Sequence, residues 1–264
     1  MGWRCCEFVI FHVDMKHVIY LFIVLLCATS CATQQNAQPG ICLSFDDRTV
    51  EGWYALRPLF DSYDAKATFF ITQPDSLSNT EVRMLKELEN DGHEIGFHGA
   101  MHVYAEHYIK EYSYAEYLEK EIESGLKSMQ NHGFECSSFA YPYGSKYWFT
   151  DYLLLKRFES IRSVSALKKN QSVSELDDIY YEYDGDRTLF ALGIDRNSEL
   201  NERDILHAMK RVRENKEVLM LYGHRPTENT SDTYTFDPKF LEFILQQAQA
   251  DDFQFFLVKE LTSN

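Results

Sequence analysis

Ile41-Cys42-Leu43-Ser44-Phe45-Asp46-Asp47 reads as a short apolar strand that ends on two carboxylates. In an α/β barrel, the ends of strands are where chemistry collects. Successive residues of an extended chain point opposite ways, so one of the two acids can hold an ion while its neighbour faces a substrate. Two more apolar runs end in the same manner. Glu94–Phe97 leads into His98-Gly-Ala-Met-His102, and Val218-Leu-Met-Leu-Tyr-Gly leads into His224. On a helical turn, the spacing of His98 and His102 puts both rings on one face, within reach of one ion. Two His and one Asp supply three ligands for a divalent metal and leave a position for water. A second Asp and a third His remain for proton transfer.

Outward from these motifs, strand-like and helix-like segments alternate. Trp53–Tyr63 is expected as a helix and Ala67–Thr72 as a strand. Thr80 is expected to cap a helix through Asn90, with Val82, Leu85 and Leu88 on one face and Gly92 as its stop. Ser113 is expected to cap a helix over Tyr114–Gln130, where Leu118, Ile122, Leu126 and Met129 recur at helical spacing. Ser138–Tyr141 is a strand, Pro142-Tyr-Gly144 a turn, Tyr147–Arg157 a helix and Ser160–Ser165 a strand. Glu202–Asn215 and Pro238–Ala250 are helices around the strand Val218–Tyr222, and Phe253–Val258 is a last strand. The stretch 168–200 is polar with short apolar pieces such as Thr188–Gly193, and is assigned no element. Strands separated by helices imply a parallel sheet with helical crossovers. About seven such units, with acids and imidazoles at several strand ends, favour a single-domain (β/α) barrel over 41–264. An open doubly wound sheet is the alternative, but no Gly-rich phosphate loop follows the first strand.

The beginning of the chain reads as targeting rather than fold. Val18–Cys27 is an unbroken apolar run after Met15-Lys16, the length of a signal-peptide core and too short to span a bilayer. Ala28-Thr-Ser-Cys31 then resembles a bacterial lipoprotein signal, with Cys31 as the lipidated residue. Plain secretion or membrane retention is the alternative. Glu7 and Asp14 do not suit the start of a signal, so translation is expected to begin at Met15. Residues 1–31 are thus assigned to targeting and 32–40 to a polar tether, and the protein to the bacterial cell envelope, membrane-held through a lipid anchor. Of six cysteines, Cys42 and Cys136 alone would remain free in the mature domain, and neither has a partner at metal-ligand spacing. A formal net charge of −15 argues against nucleic acid as a partner. No protein partner is inferred.

With these motifs placed, the chain resembles a polysaccharide deacetylase of the NodB homology type, carbohydrate esterase family 4, over residues 40–260. The family's Thr-Phe-Asp-Asp-Gly corresponds to Ser44-Phe-Asp-Asp-Arg48, and its His-Ser/Thr-x-x-His to His98-Gly-Ala-Met-His102. Its Arg-x-Pro-Tyr-Gly corresponds to Ala140-Tyr-Pro-Tyr-Gly144, and its Leu-x-Leu-x-His to Leu219-Met-Leu-Tyr-Gly-His224 with one extra residue. The resemblance implies a distorted barrel and one divalent metal, zinc foremost, with Co2+, Ni2+ or Mn2+ as alternatives. It implies Asp47, His98 and His102 as ligands, Asp46 as catalytic base, His224 as catalytic acid and the backbone N–H of Tyr143 as an oxyanion donor. Tyr141, Tyr143 and Trp148 are candidate faces for a sugar ring. The chain also departs from the family. Gly99 stands where the family has a hydroxyl residue that helps hold the metal loop, Arg48 replaces a Gly, and Ala140 replaces the Arg that steadies the base. The family's fourth motif has no clean match. Arg162, on the next strand, is the candidate to supply the missing guanidinium.

These readings converge on a metal-dependent hydrolase that removes N-acetyl groups from a cell-envelope or environmental polysaccharide. An O-acetyl esterase, for instance on acetylated xylan, is the first alternative, and a non-catalytic glycan-binding lipoprotein the second. A metal phosphoesterase is disfavoured, because a two-metal site wants more carboxylates and imidazoles near these motifs.

Overall fold

The first strand of the barrel, β1 (Gly40–Asp47), is buried except at its last residue, which requires packing on both faces. The computed structural model, which describes residues 37–229 and 231–262, shows what covers them. Ile41, Leu43 and Phe45 belong to the large outer layer shared with the helices. Cys42 belongs to a smaller inner cluster with Phe70, Ala140, Leu189, Ala191 and Met220. The side-chain period of 2 thus sorts each strand between barrel interior and helical shell. Both faces are apolar, which is why the strands read as near-continuous hydrophobic runs.

Strands β2 (Thr68–Ile71), β3 (Glu94–Phe97), β4 (Ser138–Ala140) and β5 (Ser160–Ser165) follow in order. After the two-residue β6 (Tyr180–Tyr181) come β7 (Thr188–Gly193) and β8 (Val218–Gly223). The order β1-β2-β3-β4-β5-β7-β8 is parallel throughout, and β8 pairs with β1 to close a seven-strand barrel. It is distorted: β4 meets β3 at one register pair, Phe97 opposite Phe139. Strand β6 lies antiparallel on β8, β9 (Arg225–Pro226) and β10 (Thr235–Phe236) form a separate parallel pair, and β11 (Gln254–Phe256) lies beside β1. The interior is narrow at Gly96, where a Cβ would sit 2.6 Å from the Phe70 ring.

The two ends of the barrel differ. At the N-terminal end of the strands, buried Glu94 accepts hydrogen bonds from Thr68 Oγ1 (2.8 Å), Ser138 Oγ (2.5 Å) and the backbone N of Lys259 (3.1 Å). The short helix Val258–Leu261 covers that end. Every residue singled out for chemistry lies toward the opposite, C-terminal end.

Several expected elements are corrected. The helix expected over Trp53–Tyr63 is two short helices, Val50–Ala55 and Arg57–Ser62. Pro58 in the first turn of the second lacks the N–H that would continue the first. The cap before Asn90 is Ser78, not Thr80, in a reciprocal capping box with Glu81. Ser113 does cap its helix, but the helix passes through a π-helical stretch, Leu118–Glu123. The helix expected over 147–157 shrinks to Thr150–Leu154, and the last strand to Gln254–Phe256. Thr188–Gly193, assigned no element from sequence, is a full barrel strand. The targeting segment 1–31, with Cys31 and Met15, lies outside the described residues. So does most of the tether; its residues 37–39 carry no regular structure.

Candidate active site

Asp47 ends β1 with φ +84, a left-handed conformation that is strained for a residue with a side chain. The twist brings its carboxylate toward the loop after β3. There His98 Nε2 lies 3.6 Å and His102 Nε2 3.1 Å from Asp47 Oδ1. The two imidazoles converge, with ring centroids 5.0 Å apart. They are not on a helical turn, as their spacing had suggested. The loop bends through left-handed Gly99 (φ +87) and His102 (φ +62) instead.

The chemistry of this group fits a divalent cation. His98 Nδ1 donates to the carbonyl of Ala140 at 2.8 Å, which leaves Nε2 with its lone pair facing Asp47. Burial pushes His98 down to about 4, so the ring stays neutral, as a ligand must be. Burial also opposes ionisation of Asp47, but His102 and the other imidazoles around it outweigh this and hold the carboxyl at about 2. Asp47 Oδ1 is buried and has no hydrogen-bond donor. A buried, ionised oxygen without a donor, between two imidazole nitrogens, is what a cation would satisfy. One ligand atom from each of Asp47, His98 and His102 lies within 4.8 Å of the others.

Asp46 faces the other way, into the barrel. Arg162, fully buried on β5, pairs with it through Nη2. The guanidinium carbon lies 5.2 Å from the Phe70 ring centroid and 5.0 Å from that of Tyr222. Ala140 and Arg162 are register partners on adjacent strands. A guanidinium thus reaches Asp46 from the strand next to position 140, at the same level of the barrel.

His224 follows β8. Its Nδ1–H donates to Asp195 Oδ2 at 2.5 Å, and its backbone N–H to Asp195 Oδ1 at 3.1 Å. The indole N–H of Trp53 donates to the His224 carbonyl at 2.7 Å. Burial lowers the affinity of the ring for a proton. The Asp195 hydrogen bond and the negative charges of Asp46, Asp195 and Asp47 overcome this and raise it to about 9. Asp195 was not found in the sequence. It follows β7 in the stretch that had no assigned element, although Thr188–Gly193 running into Ile194-Asp195 repeats the pattern of an apolar run ending on a polar residue.

The three candidate sugar-facing aromatics separate. Tyr143 is half exposed, with its ring centroid 4.6 Å from that of His102 and its hydroxyl 3.1 Å from His102 Nδ1. Tyr104, missed in the sequence, stacks on it at 3.7 Å. Trp148 is open to solvent. Tyr141 is corrected: it is fully buried, packs against Phe139 in the outer layer and donates its hydroxyl to Asp151. Period 2 turns Tyr141 outward when Ala140 faces in. Arg48 lies beside the ligand loop, donating to the Gln73 carbonyl at 3.4 Å.

Comparisons with known proteins bear on the family and the fold. The polysaccharide deacetylase family model matches residues 33–157, the segment that carries Asp46, Asp47, His98, His102 and Tyr143. No curated protein matches the sequence. Among solved structures, the peptidoglycan deacetylase PdaC from Bacillus subtilis is 16% identical, with a TM-score of 0.53 over 85% of this chain and 90% of its own. The catalytic domain of a peptidoglycan N-acetylglucosamine deacetylase from Eubacterium rectale is 18% identical, with a TM-score of 0.50 over 84% of this chain and 89% of its own. A pseudoenzyme of carbohydrate esterase family 4 from Bacillus anthracis is 14% identical, with a TM-score of 0.55 over 86% of this chain and 66% of its own. These likenesses bear on the fold. Residues 33–157 thus match the polysaccharide deacetylase family, and the seven-strand barrel that contains them shares the fold of these solved deacetylases.

Proposed function

We propose that this deacetylase uses a divalent cation, held by Asp47, His98 and His102, to remove N-acetyl groups from an N-acetylated polysaccharide. The observation that carries this reading is the pair of supported groups flanking the ligand cluster, Asp46 against Arg162 and His224 against Asp195. A bound divalent cation supplies a lowered pKa for water and polarises the acetyl carbonyl. The remaining work falls to side chains of the protein. Asp46, held in place by the Arg162 contact, accepts the proton of the attacking water. The backbone N–H of Tyr143, in a left-handed turn at φ +59, is the donor for the developing oxyanion. His224 gives a proton to the departing nitrogen. An amine cannot leave as an anion, so the acid must be charged when the bond breaks, and an imidazole raised to about 9 is charged at neutral pH. An alcohol leaves more readily, and this favours the amide over the O-acetyl ester.

The fold by itself does not make an enzyme, since a pseudoenzyme from Bacillus anthracis shares it. Acetate release from chito-oligosaccharides, peptidoglycan fragments and acetyl-xylan, with Asp46→Asn as control, tests the reading. Release from the first two that is lost in the control supports it. Release from acetyl-xylan alone moves it to the O-acetyl esterase, and no release with no bound metal leaves a glycan-binding protein. We further infer zinc as the ion, and a lipid anchor at Cys31 that holds the domain at the bacterial envelope. Incorporation of labelled fatty acid that persists in Cys31→Ser would reject the anchor.

A further inference from the structure

The start of the loop that carries His98 and His102 is tied to β2 and the residues after it: His98 N donates to the Ile71 carbonyl, and Gln73 N and Thr72 Oγ1 donate to that of Gly99. Its far half, where His102 sits at φ +62, is held by one residue from a distant helix. Glu121 is fully buried, on the π-helical stretch Leu118–Glu123. Its Oε2 accepts from the backbone N of Met101 at 2.6 Å and its Oε1 from that of Val103 at 3.1 Å. Its own carbonyl accepts from the N of Ala100 at 2.9 Å. The residues on either side of His102 are thus gripped by one carboxylate. π-Helical turns are uncommon and gather at functional sites, because they turn a side chain out of the helical register. Here the side chain that turns inward is this acid, in a helix that is otherwise amphipathic.

Gly99 makes the arrangement exclusive. A Cβ at position 99 would lie 2.2 Å from Glu121 Oε1 and 2.8 Å from its Cδ. With φ +87 and the carboxylate this close, position 99 suits only a glycine beside Glu121.

We propose that Glu121 is the positioning residue of the ligand loop: it occupies the space of a side chain at position 99 and fixes residues 100–103 so that His98 and His102 converge with Asp47 on one divalent cation. This rests on the reading of Asp47, His98 and His102 as ligands. Groups behind the ligands typically change metal affinity 10–100-fold when removed.

The test uses the full chain stripped of metal by a chelator and titrated with Co2+, whose visible absorption reports ligand geometry. Wild type is compared with Asp47→Ala, Glu121→Gln and Gly99→Ala. Glutamine keeps one acceptor and turns an amide N–H against a backbone N–H, and an alanine at 99 drives a methyl into the carboxylate. Wild type is expected to bind one Co2+ and Asp47→Ala none, with Glu121→Gln and Gly99→Ala each about 10–100-fold weaker and altered in spectrum. A merely structural role would lower the thermal midpoint of the metal-free protein and leave affinity and spectrum alone. Folded Glu121→Gln with wild-type affinity and spectrum would overturn the proposal while the ligand reading stands. If Glu121→Gln does not fold, Glu121→Asp, which keeps the charge and withdraws the carboxylate from the backbone N–H groups of Met101 and Val103, decides by the same criterion. Wild type without Co2+ binding, or Asp47→Ala that binds as wild type does, sinks the ligand reading and the proposal with it.

Discussion

The proposed ligand side of the site and its proposed proton-transfer side are built by different means. Asp47, His98 and His102 are placed by backbone, through left-handed residues at 47, 99 and 102 and a loop gripped by Glu121. Asp46 and His224 are placed by charge, each against a buried partner of opposite sign: Arg162 on β5 across the barrel interior, and Asp195 after the neighbouring β7. The difference follows from what each must do. A ligand must be neutral or anionic and aimed, so geometry matters most. A base or an acid must hold the right protonation state at working pH, so the field around it matters most. Burial serves both, keeping the His98 ring neutral and strengthening the pairing of His224 with Asp195.

The contrast can be broken from either side. The largest effect is expected at Asp46→Asn, with kcat for acetate release down by about 10²–10⁴ and Co2+ affinity unchanged. A parallel loss of affinity would mean that the two sides are not separable. Removing the metal with a chelator should stop turnover while circular dichroism stays native, since the barrel core does not depend on the site. Next is Arg162→Met, which leaves the Asp46 carboxylate buried without its partner. Breaking such a pair costs about 3–5 kcal/mol, to be read by denaturant unfolding, and acetate release should fall with it. Full activity in Arg162→Met would reject its role as the substitute guanidinium.

Asp195→Asn sharpens the comparison through pH. The His224 proton affinity is raised above its ordinary value, so activity that needs the charged ring persists up to about 9 and falls above it. The amide cannot supply the same charge, so the alkaline limb of kcat should move to lower pH. Stability follows the same sign. The contribution from charged His224 is complete below about 6.5 and is lost as pH rises through about 9. The variant should show a flatter stability profile over that interval, and an unmoved limb would exclude His224 as the acid. The smallest effect is expected at Tyr104→Ala, which removes the ring stacked on Tyr143. Stacking of this kind contributes about 0.5–1.5 kcal/mol, so KM for an oligosaccharide should rise a few-fold with kcat kept.

The motifs that begin both sides were legible because they obey local rules. Asp46, Asp47 and His224 end apolar runs, and His98 and His102 share a short segment. The partners were harder to read for a physical reason. Arg162 was a candidate only through the resemblance, as the Arg of the next strand, and the register of β4 with β5 puts it opposite Ala140. Asp195 ends a strand whose flanks are polar, so hydrophobic periodicity was too brief to mark it. Glu121 sits on what read as an ordinary helix over Tyr114–Gln130, and the π-helical turn that redirects it leaves no pattern in an apolar period of 3.6. Tyr141 was misjudged for a simpler reason. It was grouped with its motif rather than assigned to the outward face that strand alternation demands.

The sequence by itself determined the alternation of strands and helices, the parallel pairing of the strands and the residues that begin the chemistry. Each of these follows from spacing along the chain, which sets which side chains share a face. The tertiary structure alone decided what stands behind them: Arg162 behind Asp46, Asp195 behind His224 and Glu121 behind the ligand loop. These pairs join residues 116, 29 and roughly 20 positions apart. Their partnership rests on barrel closure and strand register, which set distances in space that no local period encodes.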